Sequence, residues 1–157
     1  MPLENKLLDT TDKSILNLLQ QDGAMTYKEI AGKVRKSMTN VVERIKFLRE
    51  NGFIHKTVAI VNIEKVRSVF VAFPHIQLLS HSMDIINEFQ NEMIKHPEVM
   101  ECYYLTGQFD FMIKIAVPDM VTYNEFIRNT LGSLPYVGVV QSFLVLSQSK
   151  HETAFNL

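Results

Sequence analysis

Thr39, Asn40, Glu43 and Arg44 lie close together and carry side chains suited to reading base edges. Asn can pair with adenine, Arg can fork onto guanine, and Glu can accept from the cytosine amino group. Ser37 and Met38 precede them. Lys28, Lys36, Lys46 and Lys56 lie around the same stretch and can hold phosphates, which gives affinity and salt dependence but no sequence choice. An ordinary solvated helix face could carry the same residues. A second group lies far along the chain. Amides following Gly107 could hold a carboxylate, and Asp110 could take an ammonium group. A hairpin glycine and an aspartate that fixes a strand start would look the same.

The first group needs a helix to present it. From Ser37 to Glu50, apolar Val41, Val42, Ile45 and Leu48 define a buried stripe, and Thr39, Asn40, Glu43, Arg44, Lys46 and Phe47 define the other face. Ser37 can cap this helix and Asn51-Gly52 can end it. Before it, Thr26-Tyr-Lys-Glu29 has the reciprocal capping pattern and predicts a short helix from about Tyr27 to Val34, burying Ile30, Ala31 and Val34. Residues 8–21 predict a first helix, capped by Asp9 or Thr10 and stopped at Asp22-Gly23 by a left-handed glycine. Phe53 to Ile60 is rich in β-branched residues and predicts an extended wing. Three helices and a β segment make a winged helix-turn-helix, with a basic helix placed to enter a major groove.

The charge distribution agrees with that placement. The whole chain of 157 residues has a formal net charge of −1. Between Thr26 and Thr57, eight basic residues face three acidic ones; from Val61 onward six basic residues face ten acidic ones. A basic segment on a near-neutral chain suggests a polyanion-binding module joined to something else. Hydrophobic residues make up 46% and charged residues 21%, the balance of a soluble globular protein. No apolar run approaches a membrane span. The single cysteine, Cys102, fits a reducing cytoplasm and reads as a buried structural thiol. The five histidines lack metal-ligand spacing, so no metal or cofactor is expected. No phosphate-binding loop, nucleophile elbow or acid–base carboxylate pair is present, so no enzymatic activity is expected.

After a polar hinge the pattern changes. Val69–Leu78, Val99–Thr106, Phe109–Val117 and Val137–Leu146 read as strands, with helices over Met83–Lys95 and Met120–Leu131. Gly107-Gln108 makes a turn. In the third strand Phe109, Phe111, Ile113, Ile115 and Val117 alternate with Asp110, Met112 and Lys114. The order βαββαβ is the ferredoxin-like pattern, so the fold class is α+β. Two helices on one face leave the other sheet face bare, and a second subunit is the expected cover.

Several motifs in order give the chain a family likeness. Leu8-Asp9-x-x-Asp12-x-x-Ile15-Leu16, Ser37-x-Thr39-x-x-x-Glu43-Arg44-Ile45 with Leu48 and Asn51-Gly52-Phe53-Ile54, and Glu101-Cys102 followed by Gly107-x-x-Asp110-Phe111 resemble the Lrp/AsnC transcription regulators. Val117-Pro118-Asp119-Met120 and Leu134-Pro135-x-Val137 follow at matching distances, and the likeness covers about residues 7–147. It implies a winged helix-turn-helix DNA-binding domain over 1–60, a linker over 61–67, and a ferredoxin-like effector-binding and oligomerisation domain over 68–157. It implies double-stranded DNA and an amino acid or similar small effector as ligands. It also implies a homodimer assembling to an octamer. The effector site is expected around Tyr104, Gly107, Gln108, Phe109, Asp110 and Ser142.

The chain also departs from the family pattern. Arg35-Lys36 stands where Gly-Leu is usual, although a left-handed turn suits Arg poorly. Pro74 falls in a central strand, where a bulge or offset is expected. Tyr136 replaces a usual Gly, and Val140-Gln141-Ser142 replaces Thr-x-Thr. Two other readings therefore stand beside a ligand-sensing regulator. One is an architectural DNA binder without ligand response. The other is a small-molecule-binding or enzymatic ferredoxin-like domain with a helical arm.

Overall fold

A computed structural model describes residues 8–157. It divides into two compact units, one spanning residues up to Val61 together with Lys150–Leu157, the other Asn62–Ser149. The assignment of 150–157 differs from the expected single span 68–157. In the helical unit Phe155 exchanges two hydrogen bonds with the Gln20 side-chain amide, at 3.0 and 2.8 Å, and the Leu157 amide donates to Asn17 Oδ1 at 3.3 Å. Nothing in the polar sequence of that segment announces the contact.

In the helical unit, α1 spans Thr10–Gln21, α2 Tyr27–Val34 and α3 Met38–Glu50. Asp9 caps α1, and Asp12 returns the bond to the Asp9 amide. Thr26 and Glu29 form the expected box at α2, and Ser37 caps α3. Ile15, Leu16, Ile30, Ala31, Val41, Ile45 and Leu48 form the core. The stripe of α3 is narrower than expected. Val42 is 38% exposed, whereas Phe47, expected on the outer face, packs against the core and its ring lies 6.1 Å from Phe53. Residues 41, 45 and 48 already span one helix face, and 42 lies about 100° around from 41.

Two further expectations change. Gly23 is not left-handed among the described residues; a Cβ there would meet Thr57 Cγ2 at 2.8 Å, so its size matters and not its φ. Residues 55–62 form no strand and are exposed, so the anticipated β wing is absent as a paired strand. An isolated strand has no partner for its amides and carbonyls, and β-branched residues alone cannot supply one.

In the second unit β1 (Phe70–Leu78), β2 (Val99–Tyr104), β3 (Phe111–Val117) and β4 (Val137–Leu144) form one antiparallel sheet in the order β2-β3-β1-β4. Helices α4 (Met83–Met93) and α5 (Met120–Asn129) cover one face. Phe111, Ile113, Ile115 and Val117 are fully buried beneath them, with Phe89, Met93 and Leu131. Tyr136 joins this core. The alternation foreseen for β3 holds from Phe111 onward but breaks at its start, where Asp110 is buried. Pro74 brings no bulge. The β1–β3 register is the same on both sides of it, pairing Ala72 with Ile115 and His75 with Met112, and Pro74 pairs with Ser142 of β4. The irregularity in β1 lies instead at Gln77/Leu78. On the opposite sheet face Phe143 and Val139 are exposed, and the His75 ring sits edge-on to Phe143 at 4.7 Å and Phe109 at 5.5 Å.

Candidate nucleic-acid and effector sites

The turn between α2 and α3 has the geometry of a left-handed helix stop. Arg35 takes φ 54° and ψ 47°, the one non-glycine residue with positive φ among those described. The Lys36 amide reaches back to the Ala31 carbonyl at 3.1 Å, a Schellman-type closure. The usual turn is thus kept with Arg in the glycine position, at a cost of about 1–2 kcal/mol. Beyond it the Asn40 amide donates to Ser37 Oγ at 3.2 Å, so the Ser37 hydroxyl serves the helix cap.

The first turns of α3 then present Met38, Thr39 and Glu43 as exposed residues, with Asn40 half-buried. Lys28, Lys36, Lys46 and Lys56 are all exposed. Lys46 stands 3.8 Å from Glu50, a loose pair between two solvated side chains. Val42 adds an apolar surface that the stripe argument missed, of the kind that meets a thymine methyl.

Arg44 is the member of the base-edge group whose guanidinium is engaged inside the helical unit. Its Nη1 donates to Asp9 Oδ2 and Asp12 Oδ1, each at 2.7 Å, and its Nε donates to Asn40 Oδ1 at 3.0 Å. The Asp12 and Asp9 carboxylates raise the Arg44 pKa, while the Asp12 amide and then the guanidinium hold Asp9 below the usual carboxylate range. The side chain pins α3 to the N-terminus of α1. No local signal in the sequence links residue 44 to residues 9 and 12.

The loop between β2 and β3 gathers Tyr104, Gly107, Gln108, Phe109 and Asp110. Gly107 has φ 121°, a conformation that requires glycine. Gly107 and Gln108 are exposed, and Tyr104 is exposed with its ring 5.1 Å from that of Phe111. Asp110 is turned inward. Its Oδ2 accepts from the Leu78 amide at 2.8 Å, its Oδ1 lies 2.9 Å from His81 Nε2, and its own amide donates to the Ile76 carbonyl at 2.8 Å. It therefore fastens the start of β3 to the end of β1. Ser142 is not brought to this loop, because β1 lies between β3 and β4; its hydroxyl accepts from Tyr123. Cys102 is half-buried, and that burial raises its thiol pKa.

Comparison with known proteins places both units. Residues 8–55 match the model of a winged helix-turn-helix DNA-binding domain, and residues 71–155 match that of the Lrp/AsnC ligand-binding domain. The chain belongs to the Lrp/AsnC family. It is 33% identical over 145 residues to the leucine-responsive regulatory proteins of Escherichia coli K12 and Klebsiella pneumoniae, covering 92% of this chain and 88% of each relative. A transcriptional regulator from Neisseria meningitidis, solved as its L-methionine complex, superposes with a TM-score of 0.88 at 32% identity, covering 95% of this chain and 96% of that one. An AsnC-family regulator from Agrobacterium tumefaciens follows at 0.87 and 30% identity, over 94% of this chain and 96% of its own. This Lrp/AsnC chain is a transcription regulator, with a DNA-binding domain and a ligand-sensing domain. Among the described residues no helix is long and apolar enough to cross a membrane.

Proposed function

We propose that this regulator binds double-stranded DNA through Ser37, Met38, Thr39, Asn40 and Glu43 of the α3 segment, with Lys28, Lys36, Lys46 and Lys56 on the phosphates. The observation that carries this is the exposed polar start of α3 on a properly closed helix-turn-helix. Its second unit senses an amino acid or a related small molecule near Tyr104, Gly107, Gln108, Phe109, Asp110 and Ser142. The Neisseria relative in complex with L-methionine supports that ligand class. The protein acts in the cytoplasm without catalytic activity. It forms a homodimer through the bare sheet face, where Phe143 and Val139 are exposed, and the dimers assemble to an octamer. Because Ser142 and the β2–β3 loop are apart in one chain, the effector site is completed between dimers.

A mobility-shift series with the protein's own upstream DNA tests the first part. Binding should weaken steeply as salt rises; the intact protein failing to bind in a salt-sensitive way overturns it. A second reading, an architectural DNA binder without ligand response, is favoured by one observation. The Asp110 oxygens and the Ser142 hydroxyl are already engaged inside the chain. Calorimetry against the twenty amino acids separates the two, since saturable heat from any of them excludes the architectural reading.

A further inference from the structure

We infer that Arg44 is a positioning residue for DNA reading. It turns the Asn40 amide so that Asn40 offers donors to a base and selects against cytosine. The inference rests on the DNA-binding role proposed above for α3. It adds a chemical polarity to one contact and removes Arg44 from the set that touches bases.

The geometry is a relay of three steps. Asp9 and Asp12 are locked to one another across the first turn of α1, each carboxylate bonded to the other's amide. They hold Arg44 Nη1 from two sides at 2.7 Å. The guanidinium is planar and rigid, so fixing Nη1 between two carboxylates restricts where Nε can point. It points to Asn40 Oδ1 at 3.0 Å. Nε can only donate, so the oxygen of the amide must face Arg44. The opposite flip would set N–H against N–H.

Asn40 Nδ2 therefore faces away from Arg44 with both protons, and it has no hydrogen-bond partner among the described residues. In the major groove guanine offers N7 and O6, adenine N7 and thymine O4 as acceptors, while cytosine offers only its amino donor. The paired readout of adenine by Asn needs the amide oxygen to accept from N6. Here that oxygen is turned toward Arg44, which takes one of its lone pairs and leaves the Nδ2 protons as the groups directed away. A lysine at position 44 could still pair with Asp9 and Asp12, but it lacks the fork that reaches Asn40.

The test is selection of bound sites from random double-stranded DNA by the full chain, compared with Asn40→Ala, Arg44→Lys, Asn40→Asp and Asp9→Asn. The wild type should disfavour cytosine at one position, from a few-fold to about tenfold. Asn40→Ala and Arg44→Lys should flatten that same position and leave the other positions and the salt slope unchanged. Asn40→Asp exchanges donors for acceptors and should turn the position toward cytosine. Asp9→Asn keeps one acceptor oxygen for the cap but sets an amide N–H against Arg44 Nη1. It loosens the first step of the relay and should weaken the preference at that same position only; an Asp9→Asn chain that shifts a different position overturns the inference. If Arg44→Lys weakens every sequence alike, Arg44 is purely structural; if it alters a position that Asn40→Ala leaves alone, Arg44 reads a base itself; either result overturns the inference. Should Arg44→Lys fail to fold, Asn40→Asp decides: cytosine still excluded at that position overturns it. A wild-type chain that selects no DNA overturns the DNA-binding reading instead.

Discussion

The two candidate sites are built in opposite ways. At the start of α3, polar side chains are left over after the helix has been capped and closed; Thr39, Glu43 and four lysines are exposed. At the β2–β3 loop the key carboxylate is consumed by the fold, since Asp110 binds the Leu78 amide and faces His81. A helix hydrogen-bonds its own backbone and leaves its outer side chains free. A sheet edge or loop must find partners for its amides, and a nearby aspartate is a ready acceptor. The helical unit can therefore change its exposed α3 residues cheaply, while the sheet unit cannot change Asp110 without altering its scaffold.

The strongest challenge to this contrast is whether the two units respond separately at all. Phe111 and Leu48 are fully buried in different cores. Phe111→Ala should cost about 3–5 kcal/mol and Leu48→Ala about 2–5 kcal/mol. Differential scanning calorimetry should show each variant lowering its own transition. A single shared transition that moves with both variants would mean one cooperative block, and the two sites could not then be treated as independent.

Asp110→Ala comes next. It strands the Leu78 amide in a buried setting, which costs about 1–3 kcal/mol. Thermal melting of the sheet unit should register that loss, and DNA binding by the helical unit should persist. If stability is unchanged and only the effector response disappears, Asp110 is a ligand group and not a fastener.

What could be read in the sequence follows the range of the interactions. Caps, boxes and glycine stops depend on neighbours three to six residues apart, and Asp9, Thr26, Ser37 and Gly52 occur where the pattern places them. The βαββαβ order was legible for the same reason, because period-two runs such as Phe111 to Val117 are local. Long-range partners left no trace. The ion pairs of Arg44 could not be foreseen because Asp9 and Asp12 lie more than thirty residues away. Gln20 gave no hint of Phe155. Pro74 was expected to bulge, yet a proline lacks only its own donor and the strand keeps register around it.

The smallest effect concerns the turn that aims α3. Arg35 occupies a left-handed conformation at φ 54°, with its amide and that of Lys36 both bonded to the Ala31 carbonyl. Arg35→Gly relieves about 1–2 kcal/mol of backbone strain. It also gives the unfolded chain more freedom, which returns about 0.5–1 kcal/mol. The variant should therefore gain up to about 1.5 kcal/mol in the helical unit, read as a higher denaturant midpoint with an unchanged slope. The selected DNA sequence should be unaltered, because the backbone bonds that set the angle of α3 do not involve the Arg35 side chain. A destabilised variant, or one with a changed base preference, would show that the Arg35 side chain itself holds the turn, and that the reading end of α3 is less separable from its scaffold than its exposed residues indicate.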